Sequence, residues 1–233
     1  MRKADPRYIR NVFHVNIGLL ELYFGRLSNL LIGSEDEDMD LSHLSSSVFL
    51  SGFVAFESFV SDLFLAYMNR DFSVYQGQLW GRIESSITER FGQWAISRLR
   101  FLTLKHVPIN SIEDIVDPEG KVITFSTTEK MVECAKNWLS PKHCAGLFAL
   151  TPSDTQLLDT ARAIRNYIAH ESSGAYRLMN DKLATVDSGP PNDGLGRGKH
   201  YIQDVGVFLK AYAGSERRLT RYLGRLESIS KGM

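Results

Sequence analysis

The chain has 233 residues, zero formal net charge and 43% hydrophobic residues. A chain of this length can bury roughly 70–75% of its unfolded surface, so neither disorder nor a dependence on disulfide or metal staples is expected. The charge balance excludes a protein that coats nucleic acid or membrane by bulk electrostatics, and two cysteines, Cys134 and Cys144, exclude a disulfide framework.

From the N-terminus, the polar start MRKADPRYIR lacks the apolar core of a signal peptide. A first helix is expected from about Tyr8 to Ile32, with Ile9, Val12, Leu20, Tyr23, Leu27 and Leu30 as its apolar set. The segment from Gly33 to Leu41 carries five acids and reads as a loop. In the second helix, Phe49, Phe53, Phe56, Val60, Leu63 and Tyr67 recur every three or four residues, the beat of one buried helical face. Val48 to Met68 is the most apolar stretch. Glu57, Asp62 and its serines argue against a membrane span, and a reduced cytoplasmic protein is the expectation.

Further along, a looser stripe of Ile83, Ile87, Phe91, Trp94 and Leu99 predicts a helix over about 79–105. Lys121 to Phe125 is the one β-like run and follows a turn signal at Asp117-Pro118-Glu119-Gly120. Ser126-Thr127-Thr128-Glu129 and Ser153-Asp154-Thr155-Gln156 both fit a capping box, which predicts helices over about 127–139 and 154–171. Ser188 to Gly198 is rich in Gly, Pro and Asn and reads as a loop. A last helix is expected from Val205 through Phe208, Tyr212, Leu219, Tyr222 and Leu226 to Ile229, with Ser215 as its weak position. The fold class is therefore all-α. Residues 1–233 read as a single domain, with a helical insertion around 70–150 at one end of an elongated bundle.

Several chemistries drop out. Gly194 to Lys199 is not a phosphate loop, because Asp193 stands where the first glycine should be and His200 where Ser or Thr should follow. His143-Cys144 with Cys134 falls short of four zinc ligands, and neither G-x-S-x-G nor H-E-x-x-H occurs. No cofactor or metal is expected.

The helix over 154–171 carries the remaining signal. At about 100° per residue, Leu157, Ala161, Ile164 and Ile168 share a sector of about 60°, while Arg162, Arg165, Asn166 and His170 gather around the opposite side. Arginine offers a fixed fork of donors for phosphate, and histidine exchanges a proton near neutral pH. Arg165-Asn166-Tyr167-Ile168-Ala169-His170 resembles the R-x4-6-H motif of the HEPN superfamily, in which Asn, Asp or His typically follows the arginine. The helix from Phe53 to Tyr67 is similar to the second helix of that family. The resemblance covers helices near 8–32, 44–69, 154–171 and 200–230. A second match, Arg100 to His106, has Phe101 after the arginine and lies next to Pro108.

The resemblance implies a metal-independent endoribonuclease with a composite site at a homodimer interface. His170 would be the general base or acid, Arg165 would stabilise charge on the phosphate, and Asn166 would orient one or the other. The products would be a 2′,3′-cyclic phosphate and a 5′-hydroxyl. Arg165 and His170 stand about 140° apart on one ideal helix, a gap that a two-fold partner closes. Arg162 is a candidate RNA-backbone contact, Arg217, Arg221 and Arg225 share a face at four-residue spacing as a candidate RNA track, and Glu57 is a candidate to buffer Arg165 or His170. A toxin or antiviral-defence role, with an antitoxin or defence-system partner, follows from the resemblance alone. Ser172 stands where nucleotidyltransferase-regulated toxins of the family carry tyrosine. The alternatives are a non-catalytic HEPN scaffold that binds a nucleotide or a partner protein, and an unrelated helical module whose Arg/Asn/His face is a protein interface.

Overall fold

A computed structural model of the chain describes residues 3–102, 104, 106–117, 123–186 and 194–233. Among the described residues the chain is almost entirely helical, with ten helices and one two-stranded hairpin. Two compact units form, Arg10–Phe59 with Ala149–Met233, and Met1–Ile9 with Val60–Phe148. The main segment of the second unit, Val60–Phe148, begins ten residues before the stretch around 70–150 that the sequence sets apart.

In the larger unit, α1 (Pro6–Leu31) supplies Phe13, Ile17 and Phe24 to the core. The Phe13 ring stacks on Phe59 at 4.9 Å and meets Phe56 edge-on at 5.8 Å, so the phenylalanine run of α2 (Glu37–Arg70) works as a packing ladder. By length and composition α2 is long and apolar enough to cross a membrane. In this fold its Phe49, Phe53, Phe56 and Phe64 are buried. The acidic loop is shorter than expected. Glu37, Asp38 and Asp40 belong to the first turn of α2, where negative charge complements the helix dipole.

After the motif helix α7 (Pro152–His170), the chain turns at Glu171, in the left-handed region with φ 47°, and enters α8 (Ser173–Val186). The sequence reading has no helix here, because α8 shows only the short stripe Met179, Leu183 around a buried polar Asn180. That asparagine accepts from Ile202 N at 2.7 Å, and its Nδ2 donates to Ile202 O at 3.3 Å.

The single last helix is corrected to two. α9 (Val205–Lys210) and α10 (Arg218–Gly232) are separated by a hairpin pairing Tyr212 with Arg217 and Ala213 with Glu216. Gly214 takes a positive φ of 70°, the conformation a two-residue hairpin loop demands, and this outweighs the apolar beat that runs on across it. Tyr222 of α10 is fully buried, edge-on to Phe49 at 5.4 Å, and donates its hydroxyl to Leu195 O at 2.8 Å.

The smaller unit holds the end of α2, then α3 (Ser73–Ile96), α4 (Ile109–Val116), α5 (Thr128–Trp138) and α6 (Pro141–Phe148). Phe64 packs between Phe125 at 5.0 Å and Trp138 at 6.1 Å. Asn69 is buried and pins two segments, accepting from Ala4 N at 2.9 Å and donating to Val107 O at 2.7 Å. The helix expected over 79–105 starts earlier and ends at Ile96, with non-helical backbone at Gly92. Helices α4 and α6 have no counterpart in the sequence reading. Cys144 is buried, Cys134 is half-buried, and both are free thiols. Of the expected strand, residues 123–125 are not in a strand, and Lys121 and Val122 lie outside the described residues, as do residues 118–120 of the turn and 188–193 of the Gly/Pro-rich loop.

Candidate active site on the motif helix

Helix α7 is built to start sharply. Thr151 is its N-cap, with its side chain accepting from Asp154 N at 3.1 Å, while Asp154 accepts in return from Thr151 N at 3.1 Å. Pro152 sits in the first turn, where its missing N–H costs nothing. The capping box therefore lies two residues before the one expected at Ser153 and Gln156. At α5 the cap likewise shifts by one, to Thr127.

The buried face of α7 is wider than the sequence suggests. Leu157, Leu158, Thr160, Ala161, Ala163 and Ile164 are all buried, an arc of about 220° at 100° per residue, while Ile168 is only half-buried. The unforeseen α8 packs on the far side of the helix, where Tyr167 meets Tyr176 at 5.7 Å and Thr160 hydrogen-bonds Lys182 O at 3.4 Å. Small residues such as Ala163 and Thr160 let that second helix approach.

Arg165, half-buried and placed between Ala161 and Leu158 on the wheel, is held from two directions. Its Nη2 donates to Glu57 Oε2 on α2 at 2.8 Å, and its Nη1 donates to Asn166 Oδ1 at 2.9 Å. The guanidinium is thus oriented by one carboxylate and one amide, and its Nε is buried with no partner among the described residues. Glu57, named from the sequence as a buffer for Arg165 or His170, meets Arg165. His170 closes the helix as its last residue, exposed and with no hydrogen bond or ion pair among the described residues. An oriented guanidinium and an open imidazole on one helix can engage a phosphodiester and exchange a proton.

Arg162 does not stay on the open side. Its side chain is only 11% exposed, its Nη1 donates to Asp159 Oδ1 at 3.2 Å, and its guanidinium carbon lies 5.9 Å from the Phe53 ring centre. Burial pulls its pKa below the ordinary arginine value, while Asp159, Glu57 and the cation–π geometry favour the charge. Arg162 is therefore a packing and ion-pair residue in this fold, in place of the RNA contact expected from the wheel. Asp159, which the sequence reading passes over, also holds Lys182 at 3.6 Å. Its three-residue spacing to Arg162 was the available signal.

The three arginines of the C-terminal segment do not share one helix. Arg217 lies in the hairpin, with its Nη1 donating to Lys210 O at 2.6 Å and its guanidinium over Tyr212 at 4.8 Å. Arg221 pairs with Glu216 at 3.8 Å, and Arg225 with Asp154 at 3.0 Å. Arg221 and Arg225 do remain one turn apart on α10. The second motif match is not helical, since Arg100 and His106 sit in irregular chain, with residues 103 and 105 outside the described residues. No cluster of three or more potential metal ligands occurs among the described residues.

No family model, no curated protein and no solved structure matches the chain.

Proposed function

We propose that the chain is an endoribonuclease of HEPN type, cutting RNA without a metal to leave a 2′,3′-cyclic phosphate and a 5′-hydroxyl. The observation that carries the reading is the Glu57–Arg165–Asn166 arrangement, which orients a guanidinium on the helix that ends in the open His170. His170 takes the 2′-hydroxyl proton or returns one to the leaving 5′-oxygen. Arg165 stabilises the charge that builds on the phosphate, and Asn166 keeps it aimed. A second copy brings its own Arg165 and His170 and completes the site across a two-fold axis. RNA is the substrate class because the attacking hydroxyl is absent from DNA. The reading places the protein in the cytoplasm, and a partner that restrains it, an antitoxin or another member of a defence system, belongs to the same reading.

One observation favours the runner-up, a non-catalytic scaffold. Both Nη atoms of Arg165 already have acceptors, so a phosphate must share or displace them. Cleavage of mixed cellular RNA in the presence of a chelator separates the two. The wild type is expected to cut, with His170→Ala and Arg165→Ala silent and each with unchanged far-UV circular dichroism. Equal cutting by wild type and His170→Ala overturns the assignment of His170, and no cutting by any form favours the scaffold.

A further inference from the structure

Helix α1 is apolar on two sides. Phe13, Ile17 and Phe24 fall within one sector of about 40° and are buried. Val12, Val15, Leu19, Leu22, Tyr23 and Leu30 fall within a second sector of about 100°, roughly opposite, and all are exposed. Leu19, Leu22 and Leu30 are 58%, 71% and 76% exposed. Arg26 is the single charged residue in that outer sector between Arg10 and Leu31. A surface helix normally puts its charges there, and a helix apolar all round is normally covered all round. The six residues leave roughly 600–700 Å² uncovered, at the upper end of the largest patch a monomer ordinarily shows and most of the ~800 Å² per partner that a stable dimer buries.

We propose that this outer face is a self-association surface, covered by α1 of a second copy in an antiparallel pair. Three observations select that occupant. Val12, Val15, Leu19 and Leu22 step by three, four and three, the apolar spacing with which two like helices interlock, and Arg26 ends it at the next position. The flanking positions Asn11, Asn16, Gly18 and Gly25 are uncharged, so the face carries no charge code for a foreign helix, whereas its own copy matches it in area and polarity. A methyl group added at Gly18 or Gly25 would meet nothing within 4 Å in the chain itself, which leaves room for a neighbouring backbone beside the stripe. Antiparallel pairing separates the two Arg26 side chains, which a parallel pair would oppose.

The surface is distinct from the motif helix. α1 meets α2 through Phe56 and Phe59, while α7 meets α2 through Phe53 and Glu57. The inference therefore stands apart from the ribonuclease reading. If both surfaces pair, two different two-fold contacts make a tetramer when their axes cross at right angles and an open array otherwise; with α1 alone the product is a dimer.

Light-scattering mass of the full chain tests it, at concentrations up to about 50 µM. The wild type is expected at two or four times the chain mass. Leu19→Glu and Leu22→Glu are expected to halve that mass at least with unchanged helical content, and Arg165→Ala to keep the α1 pair. Leu22→Gln, neutral and on the exposed face, repeats the test without a buried or added charge. A monomeric wild type, or full wild-type mass in all three α1 variants, overturns the proposal. So does a mass that falls to the monomer with Arg165→Ala, which would assign the pairing to the motif helix.

Discussion

Glu57 and Arg165 form the pair on which the site turns. Both side chains are largely withdrawn from solvent, so removing the acid strands a cation with one amide for company. Glu57→Gln keeps the shape and drops the charge. It is expected to lower the unfolding free energy by about 1–3 kcal/mol, read as a shift in the denaturation midpoint. An unchanged midpoint would mean that solvent already screens the pair. His143 gives a pH signature in the smaller unit. Its ring stacks on Tyr67 at 5.0 Å, its Nε2 is buried with no partner among the described residues, and burial holds its pKa below the usual imidazole value, with Asp71 opposing. The unfolded chain therefore takes up this proton at higher pH than the folded one. The contribution is fully present above about pH 6.5 and declines as pH falls toward the folded value. Between about pH 7.5 and 5.5 the wild type is expected to lose more stability than His143→Phe in the same buffers; equal losses would exclude His143 as the source.

At the scale of elements, caps and close approaches decide what stays rigid. Thr151→Ala removes one arm of the α7 capping box and is expected to cost about 1 kcal/mol of unfolding free energy. Gly206, on α9, faces the backbone carbonyl of Ser42 so closely that a methyl group there would collide with it, and backbone cannot step aside cheaply. Gly206→Ala is expected to lower the melting temperature by several degrees, about 1–3 kcal/mol. Gly18→Ala meets no obstacle in the chain and is expected to raise helix stability by about 0.5–1 kcal/mol in a monomeric α1 variant. The same substitution weakens assembly wherever a second backbone approaches that glycine. At this scale much was legible. The long periodic runs of α1 and α2 and the hydroxyl-rich starts of α5 and α7 announce themselves as helices, but the apolar set expected on α1 includes the exposed Val12, Tyr23 and Leu30 and omits the buried Phe13, Ile17 and Phe24, and cap positions are off by one or two residues because several adjacent Ser and Thr compete for the role. Short helices such as α4 and α6 were not legible. Two turns of chain hold too few apolar positions to set a beat, and their burial comes from neighbours distant in sequence.

Under the proposed ribonuclease reading, the whole molecule sets how RNA is held. Zero net charge leaves no long-range attraction, and Arg162, Arg217 and Arg225 already have intramolecular acceptors. Binding must then rest on few phosphates. For a single-stranded RNA oligomer bound to His170→Ala, log K against log salt is expected to slope no more steeply than about −3, the value for about four phosphates. A slope near −6 in fluorescence anisotropy titrations would instead mean a long basic track.

Local rules were enough for the all-α class, the phenylalanine ladder of α2, and the placing of Arg165, Asn166 and His170 on one helix, because periodicity, caps and spacing act within a few turns of chain. Tertiary structure decided the rest. It turned Arg162 onto Phe53 and Asp159, aimed Glu57 at Arg165, broke the last helix at Gly214 and left a second apolar face of α1 uncovered. Each of these depends on which surfaces meet across tens of residues. A helical wheel reports where a side chain stands on its own helix and not what covers it.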